Sequence, residues 1–364
     1  MRDDVMRVIA HDAFPVDANG NRQPLPEDFV MGIGGATRTL LDLIPPRHVG
    51  RALDIGCGSG AVTVFLDADR IIATDIDERA LEAAAVTCHL SGFRRMEHGV
   101  WRDGDRLIEF RQGSLLEPVS GQRFDLIVSN PPFIIGGAGH THRDSPFEAD
   151  GLTRELLQGL PAHLNMGGRA ILLTSWLHLP DTPWEERVAA WLPETGVSAW
   201  VAQREVLDLD AYVEVWGDDA ALDVDARAAW RARLAQLGAE AIGFGWVVLE
   251  RSREPWSMLE DVSDATRVPS GAEVEEQLQA FASDPSAVEL LSVPMRFRDT
   301  HWRGPIALDP FSAALLERVR AGACLGDAID AVAAAMPVDA DDLMVHGLHF
   351  ARGAMELGYL AFAD

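Results

Sequence analysis

Arg51-Ala52-Leu53-Asp54-Ile55-Gly56-Cys57-Gly58-Ser59-Gly60 decides how the chain is read. Ala52, Leu53 and Ile55 have the character of a short buried strand. Gly56, Gly58 and Gly60 follow as a tight turn, and residues 61–66 are expected to form the next helix. Glycine suits such a turn because a Cβ would hold a ligand away from the backbone. A helix start would add free N–H groups and a partial positive charge, suited to a carboxylate or phosphate. Alone, a glycine loop marks only a strand-to-helix turn.

Two further segments narrow the reading. Residues 71–74 predict the next strand, with Asp75 at its end. An acid at that place suits paired hydrogen bonds to ribose hydroxyls. Phe124–Ser129 predicts a fourth strand, which ends in Asn130-Pro131-Pro132-Phe133. Three signals at the carboxyl ends of successive strands define one crevice of a doubly wound sheet.

A chain of 364 residues suggests two domains. No apolar run is long enough for a membrane span. The start, Met1-Arg2-Asp3-Asp4, lacks the regions of a signal peptide, so the cytoplasm is the expected compartment. Cys57, Cys88 and Cys324 are too few and too scattered for a disulfide framework or a zinc site, and no metal is expected. The formal net charge is −26, and every basic side chain is arginine. Nucleic-acid binding draws most of its affinity from basic patches, so such a partner is disfavoured.

Residues 1–27 lack periodicity and carry the breakers Asn19-Gly20-Asn21 and Pro24-Leu25-Pro26. Gly32-Ile33-Gly34-Gly35 forms a loop before a helix expected from Thr37 to Leu43, which Pro45-Pro46 ends. Loop and helix either lean over the ligand mouth or pack on the sheet. Asp77 caps a helix carrying Leu81, Ala84, Ala85 and Cys88 at helical spacing, with Gly92 at its end. Cys88 thus belongs to the core. Asp103-Gly104 is a turn between residues 100–101 and a strand over 107–112. Residues 134–146 read as a loop at the crevice mouth, a candidate lid. Its His140 and His142 read as two solvated histidines, because no thiol or carboxylate ligand set accompanies them. Leu152, Leu156, Leu157, Leu160 and Leu164 give a helical stripe closed by Gly167-Gly168. Strands are expected over 170–174, 199–201 and 244–250, and helices over 184–192 and 227–238.

The pattern shifts near residues 251–255. Helices are expected over 272–282, 311–321, 325–335 and 341–357, with strands over 288–297 and 359–362. This order resembles a winged-helix unit. The helix over 325–335 carries Asp327 and Asp330 and no basic residue, so packing or substrate covering suits it better than DNA binding. The expected organisation is an N-terminal segment with a cap loop and helix (1–49), a sheet domain (50–252) and a C-terminal accessory domain (253–364).

Asp54-Ile55-Gly56-Cys57-Gly58-Ser59-Gly60, Asp75 and Asn130-Pro131-Pro132-Phe133 together resemble a class I S-adenosylmethionine-dependent methyltransferase. The Asn-Pro-Pro-Phe form is similar to the branch that methylates planar amide or amino nitrogens, including the HemK/PrmC-like glutamine methyltransferases of release factors. The resemblance covers roughly residues 30–250, and the terminal parts look like an actinobacterial HemK-like group. It implies an α/β fold: a doubly wound, Rossmann-like, seven-stranded sheet with a smaller, mainly helical, winged-helix-like C-terminal domain. It implies S-adenosyl-L-methionine as cofactor.

The resemblance also implies roles. Gly56 and Gly58 let the backbone approach the methionine part, Gly60 completes the turn, and Cys57 fills it. Asp54 holds the turn and reaches the cofactor's amino group. Asp75 binds the ribose, and Ile76 packs on adenine. Ser114 and Leu115 fall where adenine is contacted, although Ser114 stands where such enzymes often carry aspartate. Asn130 and the Pro131 carbonyl accept the two N–H groups of the acceptor nitrogen, Pro132 stiffens the segment, and Phe133 offers a face to a planar group. Thr300-His301-Trp302 resembles a short motif of protein arginine methyltransferases, but their two-glutamate loop is absent, so core packing is expected of Trp302. The leading reading is an N-methyltransferase acting on a protein glutamine or on a small-molecule or peptide metabolite. The alternatives are a nucleic-acid amino-methyltransferase and a non-catalytic regulator that senses the cofactor. No membrane partner is expected.

Overall fold

The computed structural model describes residues 6–19, 23, 25–26, 28–96, 99–136, 147–193, 196–282, 290, 292, 295–297, 301–305, 308–335 and 340–362. The chain divides into two compact units, residues 1–263 and 264–364. The first contains, in order, α1 (Gly35–Leu43), β1 (Val49–Ile55), β2 (Ala68–Asp75), α2 (Glu78–Leu90), β3 (Arg94–Arg95), β4 (Val100–Asp103), β5 (Arg106–Gln112), β6 (Phe124–Ser129) and α3 (Gly151–Gly159). Then follow β7 (Leu164–His178), α4 (Trp184–Ala189), β8 (Val197–Asp208), α5 (Leu209–Asp219), α6 (Val224–Gln236), β9 (Ala241–Arg251) and β10 (Ser257–Asp261).

The strands form one sheet in the order β10-β8-β9-β7-β6-β1-β2-β5-β4-β3. Strand β1 is parallel to β2 on one side and to β6 on the other. Strands β5 and β7 continue the parallel run, and β9 lies antiparallel between β7 and β8. Seven strands from β8 to β5 are the expected doubly wound sheet. Three more enlarge it. After the turn at Gly104 (φ 59°), β4 pairs antiparallel with β5, and β3 pairs with β4. At the other edge β10 pairs parallel with β8. Strand β10 lies beyond the boundary expected at 252/253, which is why the first unit runs on to residue 263.

The sheet is held by apolar residues of both types of element. Leu53, Ile127, Leu156 and Trp176 belong to one buried cluster. Helix α2 starts as its sequence suggests, with Asp77 accepting from the Arg79 N–H at 2.9 Å. Helix α1 begins at Gly35, not at Thr37, which is buried within it. The helix expected over 61–66 is absent. Only a single 3-10 turn, Thr63–Phe65, follows the glycines. Val62, Thr63 and Val64 are β-branched, and β2 already begins at Ala68, so neither propensity nor length favours a helix. The leucine stripe also divides. Helix α3 stops at Gly159, and Leu164 opens β7.

The second unit contains α7 (Gly271–Ala282), β11 (Met295–Phe297), α8 (Pro310–Arg320), α9 (Leu325–Ala333), α10 (Ala340–Glu356) and β12 (Leu360–Phe362). Strands β11 and β12 form an antiparallel ribbon. Of the strand expected over 288–297, only Met295–Phe297 is strand among the described residues; Leu290 and Ser292 are helical. Leu315, Ile329, Val332 and Ala351 lie in this unit's own core. Trp302 is fully buried, as core packing requires, and Thr300 lies outside the described residues. No helix among the described residues is long and apolar enough to cross a membrane.

At the amino ends of the central strands, His48 bridges Asp67 (Nδ1–Oδ1 2.8 Å) and Asp69 (Nε2–Oδ1 3.0 Å). The hydrogen bond to Asp67 raises the His48 pKa above its ordinary 6.5. A raised folded-state value means that this stabilisation is full below the unfolded pKa and is lost as pH rises through the folded one. The stability gap between the native chain and His48→Gln should therefore shrink as pH rises above the ordinary histidine value of 6.5. Urea unfolding at several pH values checks this, and a gap independent of pH contradicts it.

Candidate active site

The carboxyl ends of β1, β2 and β6 lie side by side, because Ile55 pairs with Thr74 and with Ser129. The glycine turn, Asp75 and Asn130 leave these three ends. In the turn, the Gly56 and Cys57 N–H groups donate to the Thr74 carbonyl at 2.8 and 2.9 Å. Gly56, Gly58 and Gly60 have φ of 69°, 50° and 72°, the left-handed region that favours glycine. A Cβ on Gly56 or Gly58 would project into open space, whereas one on Gly60 would lie 3.0 Å from the Ala84 Cβ. Gly60 thus faces α2, and Gly56 and Gly58 face outward. The Cys57 side chain packs inward with Ala73 and Ala84, and burial pushes its thiol pKa well up. A nucleophilic role does not suit it.

Asp54 is buried, and its Oδ2 accepts from the Thr63 hydroxyl at 2.6 Å. Burial, the largest influence, pushes this carboxyl up to about 7, against the Thr63 bonds that favour its charged form. Asp75 accepts from the Gly58 N–H at 2.8 Å and from the Asp77 N–H at 3.0 Å. Burial raises its pKa too, and these two bonds oppose the rise. Next to it, the Ile76 side chain is 69% exposed, although apolar. Gly113 donates to the Asp75 carbonyl at 2.9 Å, which places Ser114 and Leu115 beside the end of β2. Leu115 has a φ of 45° and rests partly on the core.

Two side-chain atoms at these strand ends are buried and have no hydrogen-bond partner among the described residues: the Thr74 hydroxyl and the Asn130 Oδ1. Unpaired buried polar atoms are costly, and a bound molecule commonly satisfies them. Pro131 is buried. The Phe133 carbonyl accepts from the Ser175 hydroxyl at 2.5 Å. The Phe133 ring meets Trp216 and Phe244 edge to face, with centroids 6.2 and 6.0 Å away. The Trp216 Nε1 is another buried atom without a partner among the described residues.

The N-terminal segment runs along α2. Arg7 donates to the Ser91 carbonyl at 2.7 Å, Ala10 N–H to the Thr87 hydroxyl at 2.9 Å, and Arg79 pairs with Asp12 at 2.6 Å. The chain thus climbs α2 from its last turn to its first. Helix α1 then packs on β7, and Arg204 reaches Thr39 at 3.4 Å.

His140 and His142 lie outside the described residues. Among the described residues, no group of three or more His, Cys, Asp or Glu is placed to hold a metal. Sequence reasoning missed Ser175, Tyr212, Trp216, Trp230 and Phe244, which surround the segment after Asn130. Of these, only the Tyr-Val-x-x-Trp spacing of 212–216 hinted at a helix face.

The model of the methyltransferase small domain matches residues 31–179. This segment, less than half of the chain, is thus similar to a methyltransferase small domain. A release factor glutamine methyltransferase of Xylella fastidiosa is 36% identical over 141 residues, which cover 35% of this chain and 47% of that one. A ribosomal RNA small subunit methyltransferase C of Cronobacter sakazakii is 28% identical over 155 residues, 41% of this chain and 39% of that one. The chain thus spans less than half the length of these relatives. Among solved structures, a ribosomal protein L11 methylase of Lactobacillus delbrueckii matches with a TM-score of 0.32 and 18% identity, over 60% of this chain and 77% of that one.

The residues at these strand ends suit S-adenosylmethionine: Gly56 and Gly58 would leave the turn open to a methionine chain, the Asp75 carboxylate could meet ribose hydroxyls, and exposed Ile76 could offer an apolar face to a purine. The partnerless Thr74 hydroxyl lies on the same edge. The two kinds of glycine separate experimentally. Gly58→Ala should cost about 1 kcal/mol of stability, from its φ alone, while weakening S-adenosylhomocysteine binding at least about tenfold. Gly60→Ala adds the Ala84 clash and should cost about 2–3 kcal/mol. Urea unfolding beside calorimetry checks both, and equal stability losses contradict the division.

Proposed function

We propose that the chain is an S-adenosylmethionine-dependent N-methyltransferase whose acceptor is a planar amide or amino nitrogen on a protein glutamine or a small metabolite. One observation carries the reading: the Asn130 Oδ1 is buried at the end of β6 with no partner among the described residues, on the same sheet edge as the glycine turn. The cofactor supplies a methyl group on a positively charged sulfur. The nitrogen of an amide is a poor nucleophile, because its lone pair is delocalised. Asn130 Oδ1 and the Pro131 carbonyl each take one N–H, orient the nitrogen toward the sulfonium, and favour its pyramidal form as it attacks. The gain lies in position and in hydrogen bonds that tighten in the transition state, and no strong base is needed. Phe133 lies against the planar group.

The glutamine methyltransferase among the relatives supports an amide acceptor, and the ribosomal RNA methyltransferase supports an RNA acceptor. The net charge of −26 opposes nucleic acid as the partner. A gel shift at low salt should show weak binding of RNA and DNA, and tight, salt-sensitive binding would favour the second acceptor.

Asn130→Ala should leave S-adenosylhomocysteine affinity within about twofold and lower turnover by about a hundredfold or more. Asp75→Ala should weaken that affinity by about 1–3 kcal/mol. A mass-spectrometric search for a product heavier by one methyl group, in lysate treated with the enzyme, identifies the acceptor. Loss of cofactor binding in Asn130→Ala, or undiminished turnover, contradicts the assignment.

A further inference from the structure

Asn130 lies in a short segment held at both ends, and the second hold comes from outside the matched domain. Upstream, the β6 ladder and the Ser129 hydroxyl, which donates to the Ile55 carbonyl at 2.9 Å, fix the strand end. Pro131 and Pro132 then restrict φ. Downstream, Ile135 is buried and lies outside any strand. Side chains satisfy both of its backbone groups. Its N–H donates to the Tyr212 hydroxyl oxygen at 2.7 Å. Its carbonyl accepts from the Trp230 indole N–H at 3.0 Å and from the Tyr212 hydroxyl at 3.4 Å.

Tyr212 stands on α5 and Trp230 on α6, and their rings meet edge to face at 5.4 Å. The two helices are tied together. Arg231 pairs with Asp210, and Arg227 pairs with Asp218 at 2.7 Å while donating to the Leu222 carbonyl at 2.9 Å. Among the described residues no other element supplies Ile135 with partners, so removing the two side chains takes away the hydrogen bonds that its buried backbone groups make there. That asymmetry favours local opening of the segment.

We propose that Tyr212 and Trp230 are positioning residues for the methyl acceptor: through Ile135 they hold residues 130–133 where the Asn130 Oδ1 and the Pro131 carbonyl meet the acceptor nitrogen. The inference rests on the reading of Asn130 given above. Both side chains are buried in the cluster behind the segment. Their effect comes from placement, since a misplacement of about 1 Å lowers a rate by about a hundredfold.

The test compares Tyr212→Phe, Trp230→Phe and the double variant, which keep the rings and remove the polar atoms. Trp176→Phe is the control, because it loses a buried indole bond to Gln203, at 3.0 Å, in the same sheet. Three quantities are read: hydrogen exchange of the peptide covering 130–136, S-adenosylhomocysteine affinity, and kcat and KM for the acceptor found by mass spectrometry. Exchange at Ile135 should accelerate about tenfold or more in Tyr212→Phe and further in the double variant, but not in Trp176→Phe. Cofactor affinity should stay within about twofold, and kcat should fall at least about tenfold with little change in KM. Unchanged exchange in the folded double variant overturns the proposal, and where that variant does not fold, the single ones decide. Faster exchange with unaltered kcat and KM overturns it too, since the pair then serves packing alone. Absence of any methyl transfer by the native chain contradicts the functional reading, while the exchange result still decides whether the clamp exists.

Discussion

Strand β1 is paired in parallel on both flanks, and the rest of the first unit depends on that pairing. Ile55 is in register with Thr74 and with Ser129, so the chain leaves all three strands at the same height. A slip of one residue in either ladder would turn the apolar side chains to the wrong face. It would also separate Asp75 from the Gly58 N–H that it accepts, and Asn130 from the glycine turn. The buried Asp54 carboxylate and its Thr63 bond hold the turn from below. Its carboxyl, pushed up to about 7 by burial, is sensitive to any cation brought near it, because a positive charge would lower that value again.

The far side of the sheet is built differently. Strands β7, β8 and β9 continue past the level at which β6 stops. Leu172 already pairs with Ser129, yet β7 runs to His178, and its antiparallel partner β9 keeps pairing down to Ala241. Gly243 and Gly245 make this ribbon possible. A Cβ on Gly245 would lie 1.8 Å from the Ala202 carbonyl oxygen, and one on Gly243 would lie 2.5 Å from Gln203 and Trp176. Helices α5 and α6 pack on the overhang through Tyr212, Trp230 and Ile242. A second apolar cluster thus forms above the sheet, and the segment after Asn130 runs into it.

Local signals in the sequence sufficed where the physics is local. The glycine turn, the Asp77 cap and the boundaries of β6 follow from residues within a few positions of each other. Where the decision was local but balanced, the reading failed. Val62, Thr63 and Val64 turned an expected helix into one 3-10 turn. Strand β10 went unseen because Ser257-Met258-Leu259-Glu260-Asp261 is short and only half buried, and helix α5 because four acids interrupt its apolar face. The positions around Asn130 were legible as a motif, but the clamp was not. Ile135 is separated from Tyr212 by 77 residues and from Trp230 by 95, and no pattern in one sequence announces a contact at that distance.

That distance also bears on acceptor recognition. The matched segment, residues 31–179, contains the glycine turn, Asp75, Asn130 and Ser175, on which the proposed cofactor binding and nitrogen placement rest. It ends at the tip of β7. Tyr212, Trp216, Trp230 and Phe244 lie beyond it, and they build the wall against which Phe133 rests. On that proposal, similarity both to a glutamine methyltransferase and to an RNA methyltransferase is what a shared nitrogen-placing core would give. The part that would discriminate one acceptor from another is the overhang with its helix pair. A pocket that hydrogen-bonds its acceptor rejects analogues lacking those groups far more strongly than a merely apolar one does. The partnerless Trp216 N–H is such a group, a donor set beside an aromatic face. Under the reading proposed above, an acceptor able to accept from Trp216 would be favoured over one that leaves this donor buried and without a partner among the described residues.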